Sequence, residues 1–545
     1  MTISDNHLTR TLGVLLSLAL ISPLFFWPSV YAPFSSPTLI GFLFFVELSL
    51  PVYLILATQR NNPLTYIRQP TILALIVLTL ILILTSFTGV DRLNSFLGTI
   101  QRPLGIVVWI HGLIFVLALL ELFARDVKWK SHTVTLVILM ATLICLYALG
   151  EGWIWPAFVG NEGRVGSILG NPTFLASFLI LPCFFSFARS LESTKKTRLF
   201  LALAGGLMLV VILQTGTRGA LLGLIAGFIV WAILWLWSGK KTMKQKASSA
   251  WKLSAIALAT LLSLWIMSPS SVFERLTSTD DENIHLRLIY WDMAVDGWLD
   301  HPVLGVGPGN FYVVADPRFT SDLYAYTNVW PDKPHNTLLE YLATSGLLGG
   351  LAWLTLLGLL VRRTWRQRQH PASFALLAGL VAYTVQGLFF FDGISDWILF
   401  LFLVAWLGTA PPARTSHPRR LEARESQNRA LRNSRLVVGG LGVLMMVVGI
   451  TTLILPLRAQ VVAAGKNELP QTGIVIDDML VSKTASTRAS ETTTDQPDRI
   501  DEALTLYART IARHPLRQAE AAGRPLDTQG RPALPAQRHR ALVER

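Results

Sequence analysis

Residues 71–89 read TILALIVLTLILILTSFTG, nineteen positions without one charged side chain. A hydrocarbon core about 30 Å thick takes roughly 20 apolar residues in helical form to cross. Inside it no water can satisfy bare backbone groups, so a lone run of this kind must be a helix. The stretch reads as a membrane span, and the same window finds more on both sides. Thirteen are predicted, near 11–31, 38–57, 71–89, 103–122, 132–150, 173–190, 198–216, 218–238, 252–268, 338–361, 373–391, 396–409 and 436–457. The first block is too long for a cleavable signal peptide, lacks a small-residue cleavage site and runs at once into another span.

The bulk numbers agree. Of 545 residues, 52% are hydrophobic and 15% charged, and mean hydropathy is +0.48. Soluble domains carry about 25% charged residues, so an ordinary soluble protein is excluded. The expected fold is an all-α polytopic membrane protein of 12 or 13 transmembrane helices. Cys145 and Cys183 both fall inside apolar blocks, which excludes a disulfide framework and a zinc ribbon.

A net charge of +13 would suit nucleic acid if it were clustered on a soluble face, but its placement says otherwise. With the N-terminus in the cytoplasm, 26 basic residues fall on the inner side, including Arg125, Lys128, Lys130, Arg362 and Arg363. The short outer loops hold only Arg92, Arg102, Arg164 and Arg218. This asymmetry is the positive-inside rule, so the charge reflects orientation and anionic headgroups, and no nucleic-acid partner is expected. The chain then divides into spans one to nine (1–268), a large outer loop (269–337) and spans ten to twelve (338–409). A basic inner linker (410–435), a thirteenth span (436–457) and an outer tail (458–545) follow. Within the tail, RIDEALTLYARTIARHP at 499–515 has helical apolar spacing, as a lone amphipathic helix or half of a tetratricopeptide unit. Residues 471–498 read as a flexible linker.

On an outer face with so few cations, each is informative. Arg218 lies in QTGTRGA at 214–220, a hinge with almost no loop. A guanidinium at the membrane edge snorkels, pairs with a carboxylate, or forms a fork for phosphate oxygens. Arg164 lies in GRVGSILGNP at 163–172, which reads as a plain turn or as a Gly-rich approach to a ligand or neighbouring helix. TDDE at 279–282 is a capping box rather than a metal site, since acidic residues suit a helix N-terminus. The helix it opens, 282–299, places Ile284, Leu288, Trp291 and Trp298 at helical spacing, suiting a helix on the bilayer interface. Arg287 flanks that stripe. HPVLGVGPGNF at 301–311 has glycines spaced like a nucleotide loop, yet no βαβ context, so that reading is rejected. PHNTLLEYLATSG at 334–346 then enters span ten. His335 there caps the helix or accepts a proton from a hydroxyl.

Taken in order, TGTRGA at 215–220, Arg287 with Tyr290 and Trp291, the 301–311 segment, PHNTLLEYL at 334–342 and GLLG at 346–349 resemble the O-antigen ligase and polymerase superfamily of bacterial surface-glycan enzymes. The resemblance covers roughly residues 70–410. It implies a GT-C-like fold and an inverting, metal-independent glycosyltransferase that needs no cofactor. The donor it implies is a glycan on undecaprenyl diphosphate, used at the outer face of the bacterial inner membrane. Arg218 and Arg287 would hold the diphosphate, with Arg164 a further candidate and Arg102 and Asn336 in support. His335 would align or deprotonate the acceptor hydroxyl, lipid A-core being the first acceptor considered. Metal-dependent relatives on this architecture carry acidic pairs in the first outer loop, whereas YAPFSSP at 31–37 has no carboxylate. The thirteenth span and the tail exceed the twelve-helix family core. Polymerase and protein oligosaccharyltransferase activities share the same motifs. A small-anion transporter or an export-complex scaffold are the readings from other classes. Against transport, most charges lie at helix ends and no internal repeat is visible.

Overall fold

The computed structural model describes residues 5–28, 30, 32–59, 67–99, 102–154, 164–237, 282–318, 331–367 and 371–409, all within the first of two units, 1–472. Among these residues every regular element is helical, so the protein is an all-α polytopic membrane protein. The helices are α1 (Asp5–Leu20), α2 (Ser36–Ala57), α3 (Pro70–Thr88), α4 (Arg92–Leu97), α5 (Ile106–Arg125), α6 (Lys128–Ile154) and α7 (Pro172–Glu192). They continue with α8 (Lys195–Gln214), α9 (Arg218–Trp237), α10 (Glu282–Asp300), α11 (Phe311–Ala315), α12 (Thr337–Arg366), α13 (Pro371–Gly387) and α14 (Ile394–Gly408). Eight of them are long and apolar enough to cross a membrane, and α13 and α14 are shorter apolar helices. The predicted spans at 252–268 and 436–457, the linker, the tail and Thr279 to Asp281 of the capping box lie outside the described residues.

The first predicted span is shorter than expected. Its helix ends at Leu20 and gives way to a 3-10 turn at Ser22–Leu24, because Pro23 has no amide hydrogen to continue the ladder. The predicted spans at 373–391 and 396–409 also end differently. Helix α13 stops at Gly387 and α14 starts at Ile394, leaving residues 388–393 as a loop.

That loop is recessed for a simple reason. Helix α14 is apolar on nearly every side and almost wholly buried, which makes it the centre of the bundle. Fifteen residues at 1.5 Å each give only about 22 Å, well short of the roughly 30 Å core. Its far end is level with the other helices, since Arg363 donates to the carbonyls of Leu407 (2.9 Å) and Thr409 (2.8 Å). The missing length is therefore at the loop end, where a depression opens.

Two packing devices shape that depression. Gly219, Gly223 and Gly227 form a stripe along α9 against α13. A Cβ at Gly223 would come within 2.5 Å of the Ala382 carbonyl, and one at Gly227 within 2.7 Å of that of Ala378. Small residues at this spacing let two membrane helices approach backbone to backbone. The second device is a break in α12 at Gly346, whose φ of 64° is open to glycine at little cost. There, segment 302–307 threads alongside the helix. The amides of Val306 and Gly307 donate to the carbonyls of Ala343 (3.2 Å) and Thr344 (2.8 Å), and Leu347 donates to Pro302 (2.8 Å). Val90, just beyond α3, donates in turn to the Val306 carbonyl at 2.9 Å. The glycine-rich 301–311 segment is thus an interlock between α3 and α12.

Candidate active site

At the depressed end of the bundle, three short segments meet: the α8–α9 hinge, residues 331–336 and the loop 388–393. The hinge is tight. Gly216 turns the chain at φ 60°, and the Thr215 hydroxyl donates to the Ile212 carbonyl at 2.6 Å. Arg164 braces it, donating through Nε to the Thr215 carbonyl (2.6 Å) and through Nη2 to the Thr217 hydroxyl (3.2 Å). Arg164 is therefore neither a solvated turn residue nor wholly at the disposal of a ligand. The Gly-rich stretch after it serves a neighbouring helix, since Glu151 Oε2 of α6 accepts from the amides of Gly166 (3.1 Å) and Ser167 (2.9 Å). Arg218 opens α9. Its neighbour Gly219 packs so closely on the 388–393 loop that a Cβ there would sit 2.8 Å from that of Phe389.

The loop is a block of aromatic rings. Phe390 and Phe391 stack at 4.5 Å, and His335 lies against both, at 5.4 and 5.2 Å between ring centroids. Tyr290 of α10 contacts the same imidazole at 5.8 Å, while Trp291 contacts Phe389 at 6.2 Å. Thr337 ties helix α12 to the loop by donating to the Phe390 carbonyl at 3.1 Å. The loop thus joins the hinge of Arg218, the helix of Arg287 and the segment of His335.

His335 sits at φ 55°, a left-handed conformation that few non-glycine residues adopt and histidine tolerates better than most. Its Nδ1 is 3.1 Å from the Lys333 carbonyl. A carbonyl only accepts, so Nδ1 carries the hydrogen and Nε2 offers a lone pair. Helix capping falls to the next residue: Asn336 Oδ1 accepts from the amides of Leu338 (3.0 Å) and Leu339 (3.1 Å). Burial pulls the His335 pKa down to about 4, with the charges of Arg287 and Arg102 pushing the same way and Asp332 and the Lys333 carbonyl opposing. The imidazole is neutral at physiological pH.

Beside it lies a small cleft of about 90 Å3, open to solvent and lined by Arg102, Trp109, Asp332, Lys333, Glu340 and Asp392 among others. Arg102, just before α5, pairs with Asp332 at 2.9 Å and lies over Phe391 at 4.9 Å. Lys333 pairs with Glu340 at 2.6 Å. Asp392 accepts from the Tyr383 hydroxyl at 2.6 Å, and burial raises its pKa to about 6. Of the residues singled out in the sequence, Arg102 lines this cleft; Arg287 and Arg102 both act electrostatically on His335; Arg164 and Arg218 share the hinge. Among the described residues no three His, Cys, Asp or Glu side chains come together to hold a metal ion.

Sequence reading missed Asp332, Lys333, Glu340 and Asp392, and took Phe389, Phe390 and Phe391 for the end of a span. The available signal was an acid directly after that aromatic run, followed by glycine.

A family model described as O-antigen ligase matches residues 203–354, from inside α8 through the hinge, α10 and His335 to beyond the break in α12. An O-antigen ligase of Pseudomonas aeruginosa is 26% identical over 361 residues, which cover 63% of this chain and 78% of the relative. The ordered motifs, the all-helical membrane architecture and these two matches together support the O-antigen ligase and polymerase superfamily for this chain, and an enzyme of the membrane glycosyltransferase type.

Proposed function

We propose that the protein moves a glycan from undecaprenyl diphosphate onto a hydroxyl acceptor of the lipid A-core kind, at the outer face of the bacterial inner membrane. The observation that carries this reading is the neutral imidazole of His335, fixed through Nδ1 with Nε2 available, within the electrostatic reach of Arg287 and Arg102. The acceptor oxygen attacks the anomeric carbon and its proton passes to Nε2. The bond to the diphosphate breaks, and the electron pair leaves on phosphate oxygen. One displacement inverts the configuration. Arg218 and Arg287 stabilise the departing charge, a task for preplaced guanidiniums in a protected site. Arg164 holds the Arg218 hinge, and Asn336 holds the helix that presents His335.

The opposite end of the bundle supports this orientation. Arg125, Lys130, Arg189 and Arg363 gather there, bonded to Leu56, Thr409, Ser131 and Leu407 respectively. The positive-inside rule puts that end in the cytoplasm and His335 outside. In support, Ile284, Leu288, Val295 and Leu299 leave one side of α10 apolar and exposed, as a helix on the bilayer interface requires.

The test is a transfer assay in membranes bearing wild type or His335→Ala, given an undecaprenyl-diphosphate glycan and a lipid A-core acceptor. A shifted glycolipid lost in the variant is the expected result. Lengthening of the donor's own glycan would instead make the enzyme a polymerase, and no product of either kind would sink the reading. EDTA should leave transfer intact; loss restored by magnesium would overturn metal independence.

A further inference from the structure

Among the described residues, the non-glycine residues at positive φ are Ser167, at 54°, and His335, at 55°. Few side chains adopt that region. Such a conformation persists where the surroundings over-determine it, and these places cluster at functional sites. His335 already has a part in the transfer. Ser167 leads to a residue that does not.

What holds Ser167 is an acid on another helix. Gly166 is in the right-handed region (φ −113°, ψ −20°) and Ser167 turns left-handed. Successive amides in that order face one point and form a concavity that takes an acidic oxygen. Glu151, 3% exposed near the C-terminal end of α6, fills it. Its Oε2 accepts from both amides, Gly166 at 3.1 Å and Ser167 at 2.9 Å. The Ser167 hydroxyl donates to the Ile144 carbonyl of the same helix at 2.9 Å. The turn is thus fixed to α6 from two directions.

The two ends of this segment reach the hinge. Arg164 donates to the Thr215 carbonyl and the Thr217 hydroxyl. At the far end, the Pro172 carbonyl accepts from the same Thr217 hydroxyl at 3.5 Å. Thr217 immediately precedes Arg218. A continuous run of hydrogen bonds therefore begins at Glu151 and ends one residue from the arginine assigned to the diphosphate.

We propose that Glu151 is a positioning residue for the donor: by clamping the turn at Gly166 and Ser167 to α6, it keeps Arg164 on the hinge and so sets where Arg218 points. The proposal rests on the transferase reading above and adds the residue that preforms its diphosphate fork. Glu151 itself touches no substrate. Without its carboxyl, two buried amides lose their acceptor, which is costly. The strained Ser167 then has reason to relax, and Arg164 is drawn off Thr215.

The test uses the full-length enzyme in membranes. Glu151→Leu removes the acceptor, Glu151→Asp leaves it one methylene short, and Glu151→Gln keeps a side-chain oxygen at the same reach. Glu151→Leu should raise the KM for the undecaprenyl-diphosphate glycan about tenfold, the worth of one or two hydrogen bonds, and Glu151→Asp about threefold. Glu151→Gln should restore it to near wild type, and the acceptor KM at saturating donor should not move in any of them. In an Arg164→Ala background Glu151→Leu should add nothing further to the donor KM, because the route it acts through is already cut. Less active protein with both KM values unchanged in Glu151→Leu and Glu151→Asp would make Glu151 merely structural. A full tenfold effect in the Arg164→Ala background would equally overturn the proposal, and either result leaves the transferase reading intact. If Glu151→Leu does not accumulate, Glu151→Asp against Glu151→Gln decides by the same split. If wild type transfers nothing, the transferase reading fails, and undecaprenyl diphosphate alone is titrated against thermal unfolding of the purified enzyme. Protection that needs more diphosphate in Glu151→Asp than in wild type supports the role of Glu151. Equal titrations, or no protection of wild type, refute it.

Discussion

Replacing Gly346 by alanine should unseat the 302–307 segment threaded beside α12, and the size of the effect follows from two terms. Gly346 is at φ 64°, where an L-residue is disfavoured by roughly 1–2 kcal/mol. A Cβ there would also lie 2.2 Å from both the carbonyl carbon and oxygen of Val303. Those are backbone atoms and cannot rotate away, so overpacking adds about 1–3 kcal/mol. The sum is about 2–5 kcal/mol, relieved by pushing segment 302–307 off the helix and losing its bonds to Ala343 and Thr344. The same helix holds an internal control, because a Cβ at Gly358 would meet nothing within 4 Å. Gly358→Ala should gain about 0.5–1 kcal/mol from helix propensity alone. Thermal unfolding in detergent and limited proteolysis of the 302–318 region measure both variants, with glycan transfer as the functional readout. A Gly346→Ala protein that unfolds with the Gly358→Ala variant would refute the idea that the break is enforced by the threaded segment.

Three further outcomes can be read more briefly. His111 Nε2 and Glu47 Oε1 meet at 2.5 Å between α5 and α2, so Glu47→Ala alone should cost about 1–3 kcal/mol while a Glu47→Leu/His111→Leu double variant recovers most of it; additive losses on thermal unfolding would argue against coupling. Arg218→Ala should reduce donor use far more than protein level, whereas Arg164→Lys should lower thermal stability as well because the forked bonds to Thr215 and Thr217 are lost; equal loss of protein and activity in Arg218→Ala would make that residue structural. From about pH 4 to 6.5 the unfolded chain binds a proton that native His335 excludes, so this residue's contribution to stability rises with pH there, while Asp392 contributes the opposite slope between 3.8 and about 6. Unfolding profiles of His335→Ala and Asp392→Asn should therefore depart from wild type in opposite senses, and shifts of the same sense would contradict the burial of one of them.

Much of the frame was written locally. Charge-free runs such as 71–89 announce helices because nothing else satisfies a backbone in lipid, and α3 lies where that run predicts. The three-residue hinge before Arg218 was equally plain, since Thr-Gly-Thr cannot continue a span without a turn. The features that make the site depend on partners distant in sequence. Gly346 is one glycine in an apolar run, and only the arrival of residues 302–307 turns it into a break. Phe389, Phe390 and Phe391 satisfy any hydropathy window; they leave the helix because the central α14 is too short to meet them at the membrane surface. Arg102 and Asp332 are 230 positions apart, so their pairing had no local signal. Arg164 was legible as an outward cation, but its use on the hinge depends on the packing of two other helices.

A base with a pKa near 4 is poor at taking a proton from a hydroxyl, and the surroundings of His335 suggest how the enzyme remedies this. Burial lowers the pKa most, and the charges of Arg287 and Arg102 lower it further. The donor brings a diphosphate, and in the proposed site its negative charge lies against Arg287. That charge offsets the guanidinium and favours protonated imidazole directly, so donor binding raises the pKa of His335. The base then strengthens only when there is a leaving group to displace, which also disfavours premature chemistry in the empty site. The consequence is measurable as two different pH profiles. The rate at limiting donor reports the free enzyme and should fall only toward pH 4, whereas the rate at saturating donor reports the complex and should fall at a higher pH. Arg287→Gln should narrow the gap by raising the free-enzyme inflection. Coincident inflections in wild type would show that the diphosphate does not approach His335, and would move the donor away from Arg287.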